Sequence, residues 1–373
     1  MIYLDSAATT LQKPPAVARA TARAIQTLSS PGRGGHRPAM AAAEAAFSCR
    51  EEAAALFHVP SPEQVVFTFN ATHGLNIAIK ALVKPGSRVL ISGYEHNAVT
   101  RPLNAIGDVE IRVASAPLFD REAIARAFAQ EMEQGVDVVI CTHVSNVFGF
   151  ILPIEQIAAQ CKDKGIPLIV DAAQSAGCLP LDFQALRADF VAMPGHKGLY
   201  GPQGTGLLLC GQTPETLLQG GTGSESLRQS MPDFLPDRLE PGTHNISGIA
   251  GLLEGLRFLR RRGMGAITAH EGRLIRQMAD GLAAIPGVQV FHSAQEQVQS
   301  GVLSFRLTHK DCERVGEELG DRGFAVRAGL HCAPLAHKSA GTLETGTVRA
   351  SVSAFNQEME IRQFIRAVRA LGR

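Results

Sequence analysis

Over the first 210 positions, short apolar runs alternate with longer segments of helical period. Residues 65–69, 88–91, 137–141, 167–170, 189–193 and 205–209 read as strands. Residues 121–133 and 154–162 carry apolar side chains at helical spacing, as does the stretch from Asn70 to Ala81. An Ala- and Glu-rich helix is predicted earlier, over 41–57. Near-continuous apolar strands between helices predict an α/β sheet covered on both faces. A Gly- and Pro-rich stretch, 220–242, breaks this alternation. Beyond it come helical patterns at 249–262, 266–285, 311–322 and 357–371, with short strands near 288–291, 302–307, 324–327 and 347–351. The expected organisation is a large α/β domain over 15–250 and a smaller α+β domain over 251–373, with segment 1–14 packing against the latter.

Polar residues gather just past the strands of the first part. Tyr94-Glu95-His96 follow one, His143 to Asn146 another, Asp171 and Gln174 a third, and His196-Lys197 a fourth. In open α/β sheets, ligands bind outside the carboxyl ends of the strands. Lys197 sits between a strand and a turn region, with five glycines between Met193 and Gly206. A lysine held there out of water has a lowered pKa and can form an imine with a carbonyl cofactor. Asp171 ends a buried strand 26 residues earlier. Pyridoxal phosphate needs such a carboxylate to keep its pyridine nitrogen protonated. Alone, the Asp reads equally as a turn cap and the Lys as a loop residue; the pairing points to a cofactor.

Asn70-Ala71-Thr72 opens a helix, whose unpaired N–H groups and positive dipole end suit a phosphate, although Asn70 or Thr72 also reads as a simple cap. His96 is placed to stack on a ring and shuttle protons. Asn146 and Gln174 are candidates for hydrogen bonds to the cofactor. Near the C-terminus, Arg327-Ala328-Gly329-Leu330-His331-Cys332 sets a thiol among groups able to stabilise thiolate. Arg349 suits a two-pronged grip on a carboxylate, or a structural strand end.

Composition narrows the partners. Lys plus Arg (36) nearly equals Asp plus Glu (35), so no excess field favours nucleic acid. No apolar run approaches the length needed to cross a bilayer. The N-terminus lacks a signal-peptide pattern. Seven cysteines, none in a CxxC pair, argue against a zinc site or a disulfide framework and suit a cytoplasmic enzyme.

In their order, these motifs resemble the class V aminotransferase-fold cysteine desulfurases, in the group with Suf-type desulfurases and selenocysteine lyases. The similarity runs through Tyr3 to Thr10, Asn70 to Asn76, Glu95-His96, Ser145-Asn146, Asp171 to Gln174, Gly195 to Lys197, Glu240 to Thr243, Arg327 to Cys332 and Arg349 to Ser351. The resemblance implies the fold type I architecture of pyridoxal-phosphate enzymes, with a mostly parallel seven-stranded sheet. It implies that Lys197 holds the cofactor, Asp171 pairs with its ring nitrogen, Gln174 bonds its phenolic oxygen and His96 stacks on it. Ala71 (through its N–H), Thr72 and His196 would take the phosphate, with Thr243 reaching the site of the other subunit of a homodimer. Arg349, helped by Asn146 and His36, would bind the substrate carboxylate. Cys332 would take sulfur from L-cysteine as a persulfide, releasing L-alanine, or act on L-selenocysteine in a lyase; another class V aminotransferase would not need this thiol. Two positions depart from the family pattern. Pro194 stands where a phosphate-binding Ser or Thr is usual, and Ala71 where Thr is common. The short segment 334–348 resembles desulfurases that rely on a sulfur-acceptor protein, as in iron–sulfur cluster assembly.

Overall fold

The computed structural model of the protein describes residues 1–32 and 34–371, so the last two positions of the expected 251–373 unit lie outside the described residues. Strand β1 (Ile2–Tyr3) comes first in the chain and belongs to a separate pairing described below. Seven strands follow: β2 (Val65–Thr68), β3 (Arg88–Ser92), β4 (Glu110–Ala114), β5 (Val138–Thr142), β6 (Leu168–Asp171), β7 (Phe190–Pro194) and β8 (Gly206–Cys210). They form one sheet in the order β2-β8-β7-β6-β5-β3-β4. Within it β8 runs antiparallel to both its neighbours, and the other pairings are parallel.

The apolar runs are continuous because both faces of this sheet are buried. Val139, Cys141, Val170, Val191 and Leu207 join a core under the helices Arg121–Glu133 and Ile154–Lys164. Their neighbours Val138, Ile140, Ile169, Phe190 and Leu208 join a second core under the helix Ala71–Leu82. The edge strand β4 is not among the sequence expectations. Glu110 and Arg112 alternate along it with Ile111 and Val113 and form an ion pair of 2.6 Å, so only every second residue is apolar.

The helix Ile246–Arg262 runs through the expected boundary at 250/251. Its face of Ile246, Ile249, Leu252, Leu256 and Leu259 packs into the first core, so a break between residues 250 and 251 would cut a helix joined to the large sheet. Beyond it, β9 (Val288–Phe291), β10 (Val302–Leu307), β11 (Phe324–Ala325), β12 (Arg327–Gly329) and β13 (Thr347–Ser351) build the remaining sheets. β12, β13, β10 and β9 pair antiparallel in that order. Residues 324–327 do not form one strand: β11 pairs in parallel with β1, and the chain changes partner at Val326. Leu4 joins Met278, Phe305, Phe324, Val348 and Phe364 in the core of this region, which anchors the N-terminal segment there. No helix among the described residues is long and apolar enough to cross a membrane.

Candidate active site

Asp171 is the last residue of β6 and Pro194 the last of β7, so Asp171 and Lys197 emerge side by side at one sheet edge. They line one cleft with Asn70, Ala71, Thr72, His96, Asn146, Gln174, Pro194 and His196. The turn carrying Lys197 folds tightly: a Cβ on Gly198 would run into the Ala176 carbonyl, and one on Gly195 into the Thr205 side chain. From the other side the N-terminal segment holds it. Thr10 N donates to the His196 carbonyl (3.1 Å), Thr10 Oγ1 lies 3.0 Å from the same oxygen, and Lys13 Nζ donates to Thr10 Oγ1 at 2.8 Å.

Removal from water lowers the Lys197 ammonium to about 8, against the pull of the Asp171 carboxylate, with Arg349 lowering it further. Asp171 is 3% exposed and its carboxyl is raised, mainly by burial, while the Ala173 N–H (2.8 Å) and Lys197 favour its charge. The cleft thus holds an amine that loses its proton near neutrality beside a carboxylate sheltered from solvent.

His96 caps the helix Asn97–Ile106, its Nδ1 accepting from Ala98 N at 3.0 Å. Burial, followed by the cations of Lys197 and Arg349, holds this imidazole at about 4. The ring is therefore neutral, with its proton on Nε2.

The next residue, Asn97, donates its N–H to the Cys332 carbonyl at 2.8 Å. Cys332 is exposed, and it and His331 both have left-handed backbone, at φ 57° and 51°. Such conformations cost on the order of 1 kcal/mol each outside glycine and persist where surroundings enforce them. Three tethers do so here. Asn97 holds the Cys332 carbonyl, Asn146 Nδ2 donates to the His331 carbonyl at 2.8 Å, and His331 Nε2 lies 3.1 Å from the Thr347 carbonyl.

Arg349 is 3% exposed and gives Nη1 to the Asn146 carbonyl (3.0 Å) and Nη2 to Asp5 Oδ1 (2.9 Å), while its buried Nε–H has no partner. An unmatched buried donor costs roughly 1–3 kcal/mol, so an acceptor arriving at Nε would be favoured. Asn146 differs from expectation. Its Nδ2 is committed to the Cys332 loop and its orphaned atom is the acceptor Oδ1, which cannot donate to a carboxylate. Gln174 Nε2 donates to the Ala7 carbonyl at 3.0 Å. Arg349 and Cys332 do not line the cleft themselves and join it through Asn146 and Asn97, whereas His36, an exposed cap of the helix Arg37–Phe57, does not line it. Thr243 is likewise exposed and apart from it.

Two carboxylates escaped sequence reasoning. Glu95 is wholly buried and raised to about 8 by burial, with Oε1 accepting from Ser92 Oγ (2.6 Å) and Thr142 N (2.7 Å), which ties the end of β3 to β5. Asp5 stands between two arginines. Both lie in stretches that the sequence comparison marked, Glu95-His96 and Tyr3 to Thr10, and only the packing shows what they touch.

His143, His331 and His337 are buried, and burial holds them neutral at about 3, 2 and 4. A depressed folded-state pKa means that the unfolded chain binds more protons once the pH falls below about 6.5, so acid destabilises. From pH 7 to 5 each should remove about 2 kcal/mol of stability. Thermal unfolding across that range is expected to show a steep loss, reduced in His337→Gln; a flat profile would show these rings to be charged when folded.

Residues 2–364 match the aminotransferase class-V family. A probable cysteine desulfurase of Mycolicibacterium paratuberculosis is 34% identical over 100% of this chain, which spans only 55% of that relative's length. One from Methanothermobacter thermautotrophicus is 32% identical over 96% of this chain and 92% of its own. Among solved structures, an apo cysteine desulfurase from Thermococcus onnurineus superposes with a TM-score of 0.90 at 30% identity, covering 99% of this chain and 94% of that one. The Escherichia coli cysteine desulfurase CsdA, in an S-sulfonic acid form, gives 0.84 at 27% identity, with the same coverage. The sheet order, the paired strand-end Asp and Lys, and the full-length match agree: this chain belongs to the aminotransferase class-V family.

Proposed function

We propose that the chain is a pyridoxal-phosphate-dependent cysteine desulfurase that moves the sulfur of L-cysteine onto Cys332 and releases L-alanine. The observation that carries this reading is the tethering of the exposed Cys332 loop to Asn97 and Asn146, whose neighbours and side chains shape the cleft of Lys197 and Asp171. The names of its relatives favour cysteine over selenocysteine as substrate.

The residues present fit the cofactor. Asp171 offers a buried carboxylate to a ring N–H, and Lys197 an amine of lowered pKa to an aldehyde. At the helix Ala71–Leu82 the Asn70 side chain accepts from His73 N at 2.9 Å, and Ala71 and Thr72 line the cleft at the positive end of the helix, where a phosphate would sit. This helix end supplies what Pro194 lacks. His196 adds a ring whose Nδ1 lies 3.1 Å from Thr9 Oγ1. The same hydroxyl donates to the His196 carbonyl at 3.2 Å, which fixes the ring beside the cleft.

Bound there, the cofactor would act as an electron sink that makes the substrate Cα–H acidic and its Cβ–S bond labile. The chain's own groups do the rest. Lys197 takes and returns the proton at Cα, as its near-neutral pKa allows. Neutral His96 offers an Nε2–H hydrogen-bond donor at the cleft it lines. Arg349 receives the substrate carboxylate at its free Nε–H. Cys332 forms an S–S bond to the substrate sulfur as the Cβ–S bond breaks; the electron pair of that bond stays with the carbon fragment, and Cβ takes up one proton, equal to the one the Cys332 thiol gives up, so the products are a persulfide and alanine. A homodimer completed by Thr243 and an acceptor protein meeting Cys332 belong to the same proposal, supported by the exposure of both residues.

The test is intact-mass and peptide mass spectrometry after L-cysteine is added. One additional sulfur on Cys332, with one alanine released per sulfur, is expected. Sulfur on another cysteine, or none, would refute the assignment.

A further inference from the structure

The least expected contact around the cleft is made by the N-terminal segment. Asp5 is buried, and its two carboxylate oxygens go to different arginines: Oδ1 accepts from Arg349 Nη2 (2.9 Å), and Oδ2 from Arg327 Nη2 and Nε (3.0 and 3.2 Å). These arginines are register partners on β12 and β13. They differ in setting, since Arg349 is 3% exposed and Arg327 is 53% exposed at its side chain. Asp5 is itself fixed, bridging to Ser351 while Ala7 N donates to Ser351 Oγ at 2.8 Å.

We propose that Asp5 is the substrate-positioning residue of this site. It holds the Arg349 guanidinium with Nη2 occupied and Nε–H presented, and it sets the charge that an incoming amino-acid carboxylate meets. The inference rests on Arg349 being the carboxylate-binding residue. Nη1 is taken by the Asn146 carbonyl and Nη2 by Asp5, which leaves the buried Nε–H as the corner without a partner, on a side chain that adjoins the cleft through Asn146. One carboxylate shared by two guanidiniums leaves a net charge of about +1, enough to attract a single carboxylate. Were Arg349 free of Asp5, its long side chain would have to be ordered by each substrate molecule that binds. Arg327 lies five residues before Cys332, so the same carboxylate connects the substrate-binding arginine to the strand that leads to the thiol.

The test compares full-length holoenzyme carrying Asp5→Asn, Arg349→Gln, both together, or Arg327→Gln. Alanine release from L-cysteine gives KM and kcat, and the visible spectral change on titration with L-alanine gives a binding constant independent of turnover. Asp5→Asn leaves two unneutralised guanidiniums, so a pure charge effect would lower KM; lost positioning of Arg349 is expected to outweigh it and raise KM and the L-alanine Kd about tenfold, with kcat changed by less than about threefold. Added to Arg349→Gln, it should change nothing further, because Asp5 acts through that arginine. Unchanged KM and Kd in Asp5→Asn, or a full extra loss in the double variant, would overturn the proposal. An Arg349→Gln protein that binds L-alanine normally would instead overturn the carboxylate role of Arg349. If Asp5→Asn does not fold, Arg327→Gln decides. Asp5 then neutralises Arg349 alone, so KM should rise several-fold and lose its dependence on salt; an unaltered KM and salt response would refute the idea.

Discussion

Lys197→Ala should purify without a visible absorbance band and release alanine from L-cysteine at least about 10⁴-fold more slowly, because in the proposed reaction one side chain supplies both the covalent anchor and the proton carrier. An arginine there would not substitute, since it stays protonated. The wild-type chain stripped of cofactor offers a sharper test. Only the unprotonated amine attacks an aldehyde, and this amine is held at about 8 by its removal from water. The rate at which added pyridoxal phosphate restores the visible band should therefore rise about tenfold per pH unit below 8 and level off above it. Asp171 opposes that lowering, so Asp171→Asn should move the midpoint to lower pH. A midpoint near that of a free lysine would show that the cleft does not shelter the amine.

Cys332→Ala should leave the visible band and the melting temperature unchanged, because the side chain is exposed and the loop is held by backbone contacts through Asn97, Asn146 and His331. Alanine release from L-cysteine should fall by about 10³-fold or more, since Cys332 is the nucleophile of the proposed reaction and its loss removes the bond-forming step itself. A spectral response to L-cysteine that persists without alanine release would separate chemistry from binding. Undiminished sulfide release from the variant would remove Cys332 from the reaction.

The parts of this molecule legible in its sequence are those where one interaction dominates. β5, β6 and β7 are buried on both faces and read as unbroken apolar runs, and Asp171 and Lys197 lie just past them. The edge strand β4 alternates apolar with charged residues and was not found. The split at Val326 was equally hidden, because β11 and β12 differ in partner and not in composition. At the site, residue types suggested Arg349 and Cys332 but not their holders. Asp5 meets Arg349 across 344 positions of sequence and Asn146 meets His331 across 185, distances at which no local pattern connects them. His36 and Thr243 rest on resemblance alone, and unlike Arg349 and Cys332 they are joined to the cleft by no contact with Asn146 or Asn97.

The N-terminal segment has a consequence for the order of assembly. Residues 2–10 pair with β11, with Ser351 and with the His196–Lys197 turn. During synthesis they therefore leave the ribosome more than three hundred residues ahead of β11 and β13. The large sheet can form from sequential strands while this segment waits, but the segment is not anchored on β11 and Ser351, nor Arg349 oriented, until β11 and β13 have emerged. A nascent chain arrested before β13 would carry Lys197 and Asp171 and still lack a finished cleft, so competence to hold cofactor should arise only once β13 has emerged.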